Sequence, residues 1–371
     1  MNATAGDVLA AVATTANTTE LRRFPMPVTG PDDGLLRVEA TAVCGTDWLI
    51  YGRESRGARL GPLVLGHEIV GRVVQIGERA AQRWGVDVGD RVAVEEFLPC
   101  GACRLCRQGT PWLCPATDSR GDGEFLRYGC TPVAVAPALY GGFAEYLYLH
   151  PRAMVHQVGD EVPAELAALF VPVSNGIRWV VKEAGLTIGQ TLVVVGPGQH
   201  GLGCVVAARE AGAGRIIVVG TPADAHRLEV ARALGADYTL FSDDDPADAV
   251  TGLTGGAGAD VVVDLAPGAP DTVPAATAMC GLRGTLVLAA SKHGRPAVVP
   301  HDLVVRKELR LIGVRGHDHG SVTAAIELIT AGRYPLELLT THRFPLSRTA
   351  DALDMAGLRA DPTAIHVTVS P

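Results

Sequence analysis

Thr191-Leu-Val-Val-Val-Gly196-Pro-Gly198-Gln-His-Gly201-Leu-Gly-Cys-Val-Val-Ala-Ala208 is the stretch that decides the fold. Leu192–Val195 is an unbroken apolar run, the pattern of a strand buried on both faces. A glycine cluster follows, then helical periodicity from Leu202 to Ala211, then a second apolar run, Arg215–Val219. Strand, turn, helix and strand in that order make a βαβ unit. In Gly196-x-Gly198-x-x-Gly201 each glycine has a physical task. Gly196 permits the tight turn, Gly198 lets backbone approach a pyrophosphate, and Gly201 lets helix and strand pack closely. The helix N-terminus then presents N–H groups and partial positive charge to phosphate. A glycine-rich loop without a ligand has the same spacing; the order of elements around this one favours dinucleotide binding.

The alternation continues downstream. A helix at Ala225–Leu234 ends at Gly235, and Val261–Asp264, a helical stretch at Val273–Cys280, Thr285–Ala289 and Leu309–Val314 follow. This is an α/β segment with a doubly wound parallel sheet. An acid is expected at the end of the second strand to hold the adenosine ribose of NAD. Gly220 and Thr221 stand there, and the first acid is Asp224. The small pair leaves room for a 2′-phosphate within range of His226 or Arg227, although Arg227 reads equally well as a surface residue early in a helix. NAD and NADP both stay open.

The first third differs. Short β-like runs at Leu35–Ala40, Ile69–Ile76 and Arg91–Val94, with frequent glycines, read as an irregular β-rich domain. Within it lies Cys100-x2-Cys103-x2-Cys106-x7-Cys114, four of the eight cysteines. The two short spacings place three sulfurs on one loop, eased by Gly101, and the longer arm returns the fourth. Four thiolates close a tetrahedron around Zn²⁺ with no open position, so the lobe, at about 95–120, is expected to be structural. An iron–sulfur cluster prefers three residues before the last cysteine; seven stand here, although Pro115 follows. The last fifty residues add helices at Ser321–Thr330 and Ala350–Ala356 and a closing strand at Ala364–Val369.

With 371 residues, 47% apolar and 19% charged, the chain is long enough for two to three domains and too apolar for general disorder. Its mean hydropathy is +0.21, yet no run reaches the ~18 apolar residues of a membrane span. A net charge of −8 gives no bulk attraction to nucleic acid or anionic lipid. Met1–Asn17 lacks a basic leader, and its apolar patch, Val8–Ala13, makes a poor signal peptide. A cytoplasmic location is expected, and with it metal binding rather than disulfides for the crowded cysteines.

Cys44-Gly-Thr46-Asp47 and Gly66-His67-Glu68 supply a thiolate, an imidazole and carboxylates, all zinc ligand types. Singly, His67 reads equally as a satisfied core histidine and Glu68 as a solvated turn residue. Together with Gly71 and Gly77, Gly89-Asp-Arg-Val, the four-cysteine lobe, the Gly196 turn and Thr341-His-Arg-Phe-Pro-Leu, they make nearly the whole chain resemble the zinc-containing medium-chain alcohol and polyol dehydrogenases. The resemblance implies a β-rich, GroES-like catalytic domain split in sequence around a Rossmann domain, here 1–171, 172–318 and 319–371, with the crossing at Gly316–Gly320. It implies a catalytic zinc on Cys44, His67 and Glu68, Asp47 hydrogen-bonded to the ligating histidine, and Thr46 passing the substrate proton. It also implies a homodimer or homotetramer formed through the Rossmann sheet edge near Thr285–Val299.

Two positions depart from the family pattern. The further ligand in the interdomain helix falls on Val171, which cannot bind metal, and the histidine that relays protons to solvent is Leu49. Three protein ligands still suffice for a catalytic zinc, and the proton path from Thr46 is then left to the cofactor ribose or to water. The expected activity is hydride transfer between NAD(P) and an alcohol, polyol or carbonyl substrate. The alternatives are an NAD(P)H-dependent reductase of an activated C=C or C=N bond with the catalytic zinc weakened or absent, and an idle cofactor-binding redox sensor. Trp48 and Tyr51 are candidates for the substrate pocket or for core packing. Lys292 and His293 either approach the cofactor or sit in an exposed loop. His317 and His319 read as solvated, and Cys130, Cys204 and Cys280 as small buried hydrophobes.

Overall fold

The computed structural model describes residues 7–52, 60–119, 121, 123–358 and 360–371. Met1–Gly6, the start of the segment weighed as a leader, lies outside the described residues. Val8–Ala13, the apolar patch, lies within strand Asp7–Thr15, which pairs antiparallel with Thr18–Pro25 on one side and Leu63–Val64 on the other. Val8, Ala10 and Val12 are fully buried, so the patch is core.

One compact unit comprises 1–170, 326–331 and 340–371. Its main sheet has seven strands, in the order Thr340–Pro345, His366–Ser370, Gly34–Ala42, Glu68–Ile76, Arg91–Val94 and Val155–Gln157, with Tyr146–Leu149 also paired to Gly34–Ala42. Strand His366–Ser370 runs antiparallel to Gly34–Ala42 with Thr368 opposite Ala42, so late sequence is stitched into an early sheet. Leu36, Val38, Ile69, Val73, Val92 and Val94 form the core beneath it. This is the GroES-like architecture.

The other unit comprises 171–325 and 332–339. Its six strands are all parallel, in the order Tyr238–Phe241, Arg215–Gly220, Thr191–Val195, Ala259–Asp264, Cys280–Leu288 and Arg310–Gly313. All five residues of Thr191–Val195 are buried, as the unbroken apolar run demands. Strand order reverses on either side of it, the switch point at which Rossmann sheets bind dinucleotides. Late in the chain the path changes unit after Ala325, after Ala331 and after Leu339. The sheet edge needs correction: Thr285–Leu288 is covered by Arg310–Gly313, which is the true edge strand. Among the described residues one helix, Ala164–Glu183, is long and apolar enough to cross a membrane, and 78% of its 18-residue apolar window is buried within the protein.

Candidate active site

The Gly196 turn has the geometry its spacing predicts. Gly196 adopts φ +102°, and its N–H donates to the Val219 carbonyl across the switch point at 2.9 Å. A Cβ on Gly201 would lie 2.1 Å from the Gly196 carbonyl oxygen, so only glycine lets helix Gln199–Glu210 sit this close to the strand. A Cβ on Gly198 would meet nothing within 4 Å: this residue caps the helix and faces open space. Tight packing behind and room in front fit a pyrophosphate at a helix N-terminus. At the next strand end, Asp224 is buried and accepts from the Thr221 N–H at 3.0 Å and the Thr221 hydroxyl at 2.7 Å. Arg227 is also buried, and its Nη1 binds Asp224 at 3.1 Å. Arg227 is thus part of the packed helix face, while His226 remains partly exposed.

In the lobe, the Cys103 and Cys106 sulfurs lie 3.5 Å apart and those of Cys103 and Cys114 3.8 Å apart. All four sulfurs fall within 4.8 Å of one another. A tetrahedron with arms of about 2.3 Å has edges of about 3.8 Å, so the donors are spaced for zinc. The backbone N–H groups of Ala102 and Cys103 hold the Cys100 thiol down at about 6, favouring the thiolate that a metal requires.

The second cluster is buried. Asp47, fully buried in the first turn of helix Gly45–Tyr51, organises it. One carboxylate oxygen accepts the Cys44 N–H at 2.9 Å; the other takes the Gly66 N–H at 3.0 Å and meets His67 Nδ1 at 3.1 Å. Two separate loops are pinned to one carboxylate, and His67 is oriented with Nδ1 toward it and Nε2 turned to the pocket. Cys44 Sγ and a Glu68 oxygen lie within 4.8 Å. Burial pushes the Cys44 thiol up, opposed by His67, and burial raises Glu68 to about 8. Burial also works against charge on His67, but Asp47 and Glu96 outweigh it and hold the ring well above its usual value. Neither Glu68 oxygen has a hydrogen-bond partner, and His366 Nε2 stands 3.9 Å away. A buried carboxylate without a donor, beside a thiol and an imidazole, is suited to a cation. Thr46 is half-buried at the start of the same helix.

Against known proteins, an alcohol dehydrogenase GroES-like domain matches residues 30–160 and a zinc-binding dehydrogenase domain matches 201–331. A probable alcohol dehydrogenase of Mycobacterium tuberculosis is 42% identical over 357 residues, 95% of each chain. The chain belongs to the zinc-containing medium-chain alcohol and polyol dehydrogenases. An erythritol/L-threitol dehydrogenase of Mycolicibacterium smegmatis is 33% identical over 90% of each chain. A proposed zinc-binding dehydrogenase from Sinorhizobium meliloti 1021, solved with NADP bound, superposes with a TM-score of 0.84 at 26% identity, over 99% of this chain and 100% of that one. As a member of the family, this dehydrogenase is an NAD(P)-linked, zinc-type oxidoreductase that transfers hydride.

Of the other residues singled out in the dehydrogenase, His317 departs from its sequence reading and most of the rest do not. His317 is 1% exposed, not solvated. The Gly316 carbonyl accepts from Arg178 and Trp179, and Asp318 caps the next helix through Ser321, so the turn folds the ring inward. His319 is exposed. Lys292 is not in an open loop: its ammonium binds Asp264 at 2.8 Å, the Ala266 carbonyl and Thr272. His293 is exposed. Tyr51 is core, and Trp48 packs beside it. Cys130, Cys204 and Cys280 are buried. Sequence reading missed Glu96, Arg127 and His366, all buried around the Cys44 cluster. The acidic pair Glu95-Glu96 directly after an apolar strand was the available signal for the first.

Proposed function

We propose that this dehydrogenase oxidises a secondary alcohol or polyol, or reduces the matching carbonyl, at a zinc held by Cys44, His67 and Glu68, with a second, structural zinc on Cys100, Cys103, Cys106 and Cys114. The observation that carries the reading is Asp47, which fixes the Cys44 backbone and the His67 ring together beside the unpartnered Glu68 carboxylate. Zinc bound there supplies Lewis-acid polarisation of the substrate oxygen, and the nicotinamide supplies or accepts the hydride. The protein's own part is positional. Asp47 orients His67 and raises its basicity as a ligand. Thr46 would pass on the alcohol proton, its hydroxyl accepting that proton while giving up its own, and because Leu49 offers no relay the proton would leave by the cofactor ribose or by water. Gly196, Gly198 and Gly201 seat the pyrophosphate, with Gly220 and Thr221 beside the adenosine ribose. The Arg227–Asp224 pair leaves Arg227 committed to the fold, which favours NAD over NADP.

Some of the relatives are named for small polyols, erythritol or L-threitol for the Mycolicibacterium smegmatis enzyme and sorbitol for a Bombyx mori enzyme that is 30% identical over 94% of each chain, while others are named for L-threonine. A cytoplasmic homodimer or homotetramer acting on a small molecule, with neither nucleic acid nor membrane as partner, completes the proposal. The test is a zinc count joined to a screen of C4–C6 polyols and their ketoses with NAD and NADP. Two zinc ions per chain with polyol turnover support the reading. A single zinc with turnover only on C=C or C=N substrates replaces it with the reductase.

A further inference from the structure

Glu96 follows strand Arg91–Val94 and is fixed through its backbone, its carbonyl accepting the Tyr128 N–H at 3.0 Å. Its side chain is 8% exposed and ends 3.5 Å from His67 Nε2, the ring nitrogen that Asp47 does not engage. Donors on zinc arms of about 2.0–2.1 Å stand about 3.4 Å apart along a tetrahedral edge, so the two atoms are spaced as neighbours on one ion. Arg127 grips the same carboxylate oxygen at 2.8 Å while stacking over Phe97 at 4.8 Å, which keeps the carboxylate from swinging away. Meanwhile Val171, where the family carries a further donor, has none.

We propose that Glu96 supplies the donor that Val171 lacks and joins Cys44, His67 and Glu68 on the catalytic zinc, with Arg127 as its positioning residue. The proposal rests on the reading of a catalytic zinc in this pocket. With four protein donors in place, a substrate oxygen would reach the ion either by displacing one glutamate or as a fifth donor.

The test uses full-length protein, zinc competition against a chromogenic chelator, and the visible spectrum of the cobalt(II)-substituted protein. Wild type should hold two zinc ions. Glu96→Gln should weaken one of them at least about tenfold, shift the cobalt ligand-field bands of the pocket, and leave the lobe ion in place. Glu96→Asp, which keeps the charge but draws it back one methylene, should show a smaller loss of the same kind and serves if the glutamine variant does not fold. Unchanged pocket affinity and an unchanged cobalt spectrum in the folded variants, whether or not Tm falls, would make Glu96 merely the counterion of Arg127 and overturn the proposal alone. A single zinc in wild type, lost on Cys103→Ser, would overturn the catalytic-zinc reading and this proposal with it.

Discussion

The four-cysteine lobe and the pocket around Cys44 both offer thiolates to a metal, yet they are built in opposite ways. The lobe draws its donors from fifteen consecutive residues, and only Cys114 is buried. Local backbone N–H groups hold the Cys100 and Cys103 thiols below their ordinary value, and all four donors come from one loop. The pocket draws on residues 44, 47, 67, 68 and 96, gathered by a helix and two strands and removed from water. There the charged forms are costly until the groups meet one another and an ion. A closed, local donor set suits a staple, whereas a buried set with one uncommitted carboxylate suits a centre that must exchange a ligand.

The sharpest division between the two regions should come from Cys44→Ser or His67→Ala. Each is expected to abolish turnover while dinucleotide binding, followed by nicotinamide fluorescence, stays measurable; retained turnover in either would reject a zinc mechanism. Asp47→Asn should follow, lowering pocket zinc affinity or kcat/KM by about 10–100-fold, because the amide cannot serve both the Cys44 N–H and the His67 ring as the carboxylate does. In the lobe, Cys103→Ser should remove one zinc and reduce Tm by roughly 5–10 °C, at about 2–4 °C per kcal/mol, with the pocket ion retained. Equal loss of both ions in that variant would erase the distinction between staple and centre. The smallest contrast lies in the cofactor turn. Gly201→Ala should cost roughly 1–3 kcal/mol of stability from overpacking against Gly196, whereas Gly198→Ala should leave Tm unchanged and raise the KM for the dinucleotide.

What could be read in advance follows the same line. The parallel sheet, the Gly196 turn and the lobe are encoded locally, by runs and spacings a few residues long, and each stands where the sequence put it. Strand Asp7–Thr15 was missed because an Ala/Val run carries no period when both faces are buried. His317 was misread because its burial depends on where Arg178 and Trp179, more than a hundred residues away, send their donors. Glu96 and Arg127 escaped notice for the same reason: a carboxylate and a guanidinium count as solvated until tertiary structure buries them as a pair.

The strand at His366–Ser370 has a temporal consequence. Its partner, Gly34–Ala42, leaves the ribosome hundreds of residues earlier and must wait with an open flank until the late strand arrives. His366, which stands over Glu68, travels on that strand. The pocket therefore matures only after the intervening nucleotide unit has been synthesised, and a chain that stalls before this point carries a complete four-cysteine lobe but an unfinished pocket.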